Sequence, residues 1–165
     1  MPVVVMETRI DAPAKRVFDL SLSIDLHMAS VESTGEKAVG GTTQGLIKLN
    51  EHVTFRAKHF GFWMELTSKI VVFERPGHFR DSQVAGPFRR FDHDHFFVEQ
   101  GSGTEMSDRF DFDSPLGFLG RMADYLFLER HMRAMLVQRN EFIKQTAESD
   151  HWQEYLGHEE RKLDE

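Results

Sequence analysis

From about residue 32 to 112 the chain reads as a run of strands, punctuated first by Gly35, Gly40-Gly41 and Gly45 and joined further on by turns too short for anything but antiparallel neighbours. The segment Phe62–Glu74 is the clearest. Phe62, Met64, Leu66, Ser68, Ile70 and Val72 fall on one face, and Trp63, Glu65, Thr67 and Lys69 on the other. That is a period of two with one face set up for burial. His52–Phe60 precedes it across Gly61. Arg75-Pro76-Gly77 closes it as a turn, and His78–Ala85, Arg89–Gln100 and Thr104–Phe112 follow, separated by Gly86-Pro87 and Gly101-Ser102-Gly103. A sheet with one apolar face needs a second layer to cover it.

The cover comes after Ser114-Pro115, where the pattern changes to helix. Leu116 to about Thr146 contains no Pro and, past Gly120, no Gly. A helix of ~30 residues is ~45 Å long at 1.5 Å per residue. Its apolar stripe drifts from Leu119, Ala123, Leu126 and Phe127 to Met132, Met135, Leu136, Phe142 and Ile143, which predicts a bend near Glu129–His131. Ahead of the sheet stand a strand at 3–10, a short helix opening near Asp11-Ala12 with Pro13 in its first turn, and a second near Ile24–Ala29. Gly40-Gly-Thr-Thr-Gln-Gly45 lacks the Gly-Lys-Ser/Thr of a phosphate loop and reads as a plain loop. One helix laid across a strongly curved sheet leaves space behind it, and such spaces are where pockets occur. The 15 Phe residues suit either a core or an apolar pocket. The expected class is therefore α+β: a curved antiparallel sheet around a long C-terminal helix, with an internal cavity.

Several function classes drop out. There is no Cys, so disulfides and thiolate metal sites are absent and a reducing cytoplasm is the expected compartment. No basic region precedes an apolar stretch at the N-terminus, so no signal peptide is expected, and no apolar run approaches the ~20 residues of a membrane span. The net charge is −7, of which the residues from Ala147 onward carry −5 through seven acids and two bases. That balance argues against nucleic acid as a partner. The simplest division is a ligand-binding domain at 1–146 and an acidic tail at 147–165, the tail expected as a solvated, frayed end. Nothing in the sequence fixes the oligomeric state, a homodimer included, and no cofactor is expected from a motif.

The segments His52–Gly61, Phe79–Gln83, Gly86-Pro87-Phe88, Phe91–Phe96 with its His-x-His pair, Thr104–Asp108, and the helix after Asp113-Ser-Pro-Leu-Gly117 carry a likeness. Between about Val3 and Gln145 the chain resembles the helix-grip fold of the START-like (SRPBCC) superfamily, which includes the birch-pollen-allergen and polyketide-cyclase groups. Within it, the chain looks like the ligand-binding SRPBCC proteins of unknown role. The resemblance implies a cavity for lipids, polyketides or similar molecules. It implies no single activity, since one fold hosts many functions.

The turns also set strand register. A hairpin capped by Gly86-Pro87 places Asp81 opposite His93, Phe79 opposite His95 and Gln83 opposite Phe91. A turn at 100–103 places His95 opposite Asp108, His93 opposite Phe110 and Phe97 opposite Met106. Parity then turns Asp81, His93, His95 and Asp108 inward as a polar patch on an apolar wall, with His59 near it; a slip of one residue would reverse this. Three readings fit the patch. One is a structural network of mutually satisfied groups. Another is recognition of a ligand's polar head, or acid–base chemistry by a His–Asp pair, with His95, Asp108, His93 and Asp81 as catalytic candidates. The last is a metal, of zinc or iron type, on His93, His95 and one or both Asp residues, for which His-x-His alone is thin support. Arg139 sits on the later helical stripe and can meet an interior acid or a ligand carboxylate. The cavity wall is expected to comprise Phe55, His59, Met64, Leu66, Phe79 and Gln83, then Phe91, Phe97, Met106 and Phe110, and Leu126 and Met135 from the helix. Binding of a small hydrophobic molecule is the leading function. A cyclase, dehydratase or isomerase, metal-dependent or not, is the second. A protein-interaction module anchored by Trp152, Tyr155 and Leu156 of the tail is the third.

Overall fold

A computed structural model of the chain describes residues 3–32, 35–59, 61–114 and 127–163. Among the described residues seven strands form one antiparallel sheet: β1 (Val3–Ile10), β2 (Lys37–Gly41), β3 (His52–His59), β4 (Phe62–Glu74), β5 (His78–Ala85), β6 (Arg90–Gln100) and β7 (Gly103–Asp113). Their spatial order is β1-β7-β6-β5-β4-β3-β2. From β2 to β7 each strand lies beside its sequence neighbour, as short turns require, and β1 closes the far edge on β7. Helices α1 (Ala14–Ser21) and α2 (Ile24–Ser30) follow β1, and α3 (Glu129–Ala147) and α4 (Trp152–Leu163) end the chain.

The strand boundaries fall within a residue of those read from the sequence, with one addition. Gly40 and Gly41, read as loop, belong to β2. Gly41 has φ +70°, and a Cβ there would lie 2.1 Å from the His52 carbonyl oxygen, so close strand approach demands glycine. α2 is capped by Ser23, whose side chain accepts from the Leu26 amide at 3.2 Å. Residues 115–126 of the expected long helix, Leu126 among them, lie outside the described residues, as does the approach to the expected bend. What is described is a 19-residue helix ending at Ala147.

The register of β6 on β7 is the expected one throughout: His95 faces Asp108, His93 faces Phe110 and Phe97 faces Met106. On β5, Asp81 faces His93 and Phe79 faces His95, but the ladder stops at Ser82–Asp92, so Gln83 does not pair with Phe91. β4 departs from strict alternation. Ile70 pairs with Asp81 and Val72 with Arg80, leaving Val71 as an extra residue. This bulge moves Val72 to the outer face and brings Phe73 inward in its place.

The interior holds two packed clusters. In the larger, Phe18 of α1 meets Phe73, Phe79 and Phe97 edge-on at 5.5, 5.5 and 5.3 Å between ring centroids. The smaller gathers Val4, Phe91, Phe110, Phe112 and Leu136. α3 crosses both, contributing Ile143 and Ala147 to one and Leu136 to the other. The outer face of the sheet is charged, yet not simply solvated: Asp94 is 2 % exposed, receiving Arg80 through Nε and Nη2 at 2.7 and 3.0 Å and lying 2.8 Å from His78.

The acidic tail is not a frayed end between Trp152 and Leu156. It forms α4, with Leu156 buried and Trp152 and Tyr155 packed on the larger cluster. Arg16 lies 4.3 Å over the Trp152 ring. The apolar residues of the tail outweigh its charge because they complete the core end left open between α1 and α3. The anchors expected for an outside partner are thus spent on the chain's own core. Leu156→Ala is expected to cost about 2–4 kcal/mol by urea unfolding, the usual range for a buried Leu; a change below about 0.5 kcal/mol would mean that the tail is not docked.

Candidate functional site

Among the described residues the two clusters are separate, and residues of both line two adjoining chambers of about 160 and 250 Å³. Glu36, Phe55, Leu66, Met132 and Met135 line both chambers. A buried apolar cavity of roughly 150 Å³ already admits benzene, so this space suffices for a molecule of more than one ring. The walls of the first chamber come from α2, β3, β4, β5, β6, β7 and α3, and those of the second include Ala57, Met64, Phe88, Leu128 and His131.

Charge enters this apolar space mainly at one place. Asp81 (β5), His93 and His95 (β6) and Arg139 (α3) line the first chamber, with Asp108 (β7) directly behind them. The alternation of three paired strands sets these side chains on one face, and α3 supplies the rest. His93 Nε2 lies 3.0 Å from Asp108 Oδ1. His95 Nε2 lies 3.1 Å from Asp81 Oδ1. His95 Nδ1 is 2.9 Å from Asp108 Oδ1 without making a hydrogen bond. Asn140 donates through Nδ2 to Asp108 Oδ2 at 2.6 Å and to Thr8 Oγ1 at 3.3 Å. Arg139 Nη1 is 3.6 Å from Asp108 Oδ1, and its Nη2 donates to the Ser21 carbonyl at 3.3 Å. The two imidazole rings sit 3.8 Å apart, and Phe79 stacks on His95 at 4.1 Å.

Burial shapes the protonation of this cluster. It pushes the Asp108 carboxyl up, but contacts from His93 and His95 outweigh it and hold the group well below the usual carboxylate range. Asp81 is also lowered: burial raises it, while the His95 hydrogen bond and the charges of His93, His95 and Arg139 bring it down. Burial and the neighbouring His95 lower His93 against the opposing pull of Asp108 and Asp81.

Of the residues expected on the cavity wall, Phe55, Met64, Leu66, Phe79, Asp81, Phe91, His93, His95, Phe110, Met135 and Arg139 are there. Phe97 and Met106 are not: both sit in the larger cluster, because Phe18 and the rest of α1 fill that end of the sheet. Gln83 instead ties down the Gly86-Pro87 loop, donating to the Phe88 carbonyl at 2.7 Å and accepting from the Phe88 amide at 3.2 Å. The His59 side chain and Leu126 lie outside the described residues. Two features went unread in the sequence. Asn140 was not singled out, although its place between Leu136 and Ile143 on the inward stripe signals a buried amide. His27 and Glu36 form a second polar pair on the wall, 2.6 Å apart with His27 against Phe55, and no local pattern announces it because they come from α2 and from the residue before β2.

No protein-family model matches the chain, and no curated protein matches it closely. Solved structures do. TTHA0849 from Thermus thermophilus is 17 % identical, with a TM-score of 0.67 over 86 % of this chain and 97 % of that one. Major latex-like protein 151 from Panax ginseng is 12 % identical, with a TM-score of 0.64 over 88 % of this chain and 97 % of that one. The di-domain ARO/CYC BexL of the BE-7585A biosynthetic pathway is 17 % identical, with a TM-score of 0.67 over 90 % of this chain and 50 % of that one. The chain therefore shares the fold of these structures, a helix-grip fold in which an open curved sheet holds a C-terminal helix. Among the described residues no helix is long and apolar enough to cross a membrane.

The acid side of the stability profile tests the cluster. Asp108 is lowered in the folded state, so its contribution is fully present above the ordinary carboxylate value of about 3.9 and is lost progressively as pH falls from there through the lower folded-state value. Removing one partner from a buried charged network costs about 3 kcal/mol or more. Asp108→Asn is expected to show that deficit in urea unfolding at pH 7, with the gap to wild type narrowing as pH falls below about 4. A gap independent of pH would show that the carboxylate is not ionised in the folded protein.

Proposed function

We propose that the chain binds a small, mainly apolar molecule in the two-chambered cavity, with one polar group of that molecule seated against the Asp81–His93–His95–Arg139 wall. The observation that supports this reading is the cavity itself. Phe55, Leu66, Phe91 and Phe110 give apolar walls, while Asp81, His93, His95 and Arg139 form one charged cluster on the first chamber and His27 and Glu36 a smaller polar pair. Such a site fixes orientation with few polar groups and gains its affinity from apolar area. The likeness to major latex-like protein 151 and to a cyclase-type BexL domain is in keeping with a cavity-centred role, at the level of the fold.

Leu66 lines both chambers, so Leu66→Trp takes up space at their shared wall. Titration with the fluorescent probe anilinonaphthalene sulfonate is expected to show saturable binding to the wild type, weakened about tenfold or more in the variant, since ~1.4 kcal/mol of lost contact is a factor of ten. Probe binding that Leu66→Trp leaves unchanged would place the bound molecule elsewhere and defeat the proposal.

A further inference from the structure

The two imidazoles pose a donor-counting problem. Each of their four ring nitrogens faces a carboxylate oxygen. His93 Nε2 and His95 Nδ1 face Asp108 Oδ1 at 3.0 and 2.9 Å. His95 Nε2 and His93 Nδ1 face Asp81 Oδ1 at 3.1 and 3.8 Å. A neutral imidazole carries one N–H, so two neutral rings satisfy only two of the four contacts, and the others set a lone pair against a carboxylate. Protonating both rings would place two cations 3.8 Å apart, centroid to centroid, beside the guanidinium of Arg139.

The two carboxylates are not equivalent. Asp108 lies behind the histidines with no exposed side-chain surface, and its second oxygen is taken by Asn140 at 2.6 Å. Asp81 lies on the cavity wall with both histidines. If each ring directs an N–H at Asp108, His93 Nδ1 and His95 Nε2 both turn lone pairs towards Asp81 Oδ1. Two imidazole nitrogens and a carboxylate oxygen within 4.8 Å of one another are close enough to serve as one ligand set. Their separations of 3.1 and 3.8 Å from the carboxylate oxygen bracket the roughly 3.3 Å between donors around a tetrahedral ion with 2.0–2.1 Å bonds.

We propose that Asp81, His93 and His95 hold a divalent transition-metal ion, of the zinc or iron(II) class, at the polar end of the cavity. Asp108 is then the outer carboxylate, hydrogen-bonded to His93 and 2.9 Å from His95 Nδ1, and Asn140 fixes Asp108. Nitrogen and carboxylate donors without sulfur select this class of ion. Three protein ligands on a cavity wall leave a coordination position open towards the chamber. With neutral rings, Asp81, Asp108 and Arg139 carry a net charge of −1, which a divalent ion turns to +1. An anionic group in the open position, a hydroxide or the carboxylate or enolate of a bound molecule, restores neutrality. This last step rests on the cavity-binding proposal; the metal site itself does not.

The test uses the full chain, stripped with a chelator and titrated with Zn(II) by calorimetry and with Co(II) by visible absorption. The expected result is one ion per chain and, for Co(II), the absorption bands of a four- or five-coordinate site. His93→Ala and His95→Ala are each expected to weaken Zn(II) binding more than about 100-fold, and Asp108→Asn by about 10–100-fold. His78→Ala, on the outer face, is the control and is expected to bind as wild type does. The Co(II) spectrum of the wild type needs no variant, so it decides the matter even where a variant fails to fold. A wild type without stoichiometric binding, or undiminished binding in folded His93→Ala and His95→Ala, overturns the proposal. Anilinonaphthalene sulfonate binding to the metal-free protein, measured in parallel, separates the two failures. Probe binding without Zn(II) binding removes the metal site alone, and Zn(II) binding without probe binding removes the apolar-ligand reading alone.

Discussion

The Asp108 carboxylate has no contact with solvent and no way to lose its charge cheaply, and the site is arranged around that fact. Its oxygens are met by His93 and His95 from β6 and by Asn140 and Arg139 from α3. The helix is therefore tied to the sheet by polar contacts at one point as well as by apolar packing at its flanks, through Leu136 on one side and Ile143 on the other. An unpaired charge there would cost several kcal/mol, so the spacing of helix and sheet is fixed at the height that satisfies it. That height leaves space over Phe55, Leu66 and Phe91. The cavity and the charged cluster are two consequences of one constraint.

The register of β5, β6 and β7 was legible because two Gly-containing turns and a period of two leave little freedom. Once Gly86-Pro87 and residues 100–103 turn the chain, His93, His95 and Asp108 must share a face. What escaped the sequence is whatever depends on an irregular residue or on a distant partner. The extra residue at Val71 reverses the parity of Val72 and Phe73, and nothing in a run of Ile70-Val71-Val72-Phe73 says which apolar residue is the odd one. Phe97 and Met106 carry the right alternation for the cavity wall, but α1 docks over them and turns the wall into core. The amphipathic character of α1 was plain; the end of the sheet it would cover was not.

The tail makes the same point with charge. Its composition resembles a solvated end, with a net charge of −5 on a stretch whose apolar residues are Ala147, Trp152, Tyr155, Leu156 and Leu163. Position decides instead. Trp152, Tyr155 and Leu156 fall on one side of a helix, next to a gap that Arg16 and Ala147 leave open. Burying that stripe outweighs ordering a short helix whose acids remain in water.

The cluster is hard to account for as a stabilising device. Replacing a buried ionic group with apolar side chains of similar volume is often neutral or favourable, because desolvation offsets most of the Coulombic gain. The wall already has its apolar means of support, with Phe79 stacked on His95 and Phe110 edge-on to His93 at 5.2 Å. A purely structural network would also be expected to satisfy its members. This one leaves His95 Nδ1 without a hydrogen bond and sets more imidazole nitrogens against carboxylates than two neutral rings have protons to share. Groups held at such cost, and facing a chamber rather than one another alone, are in keeping with the binding role proposed for that chamber.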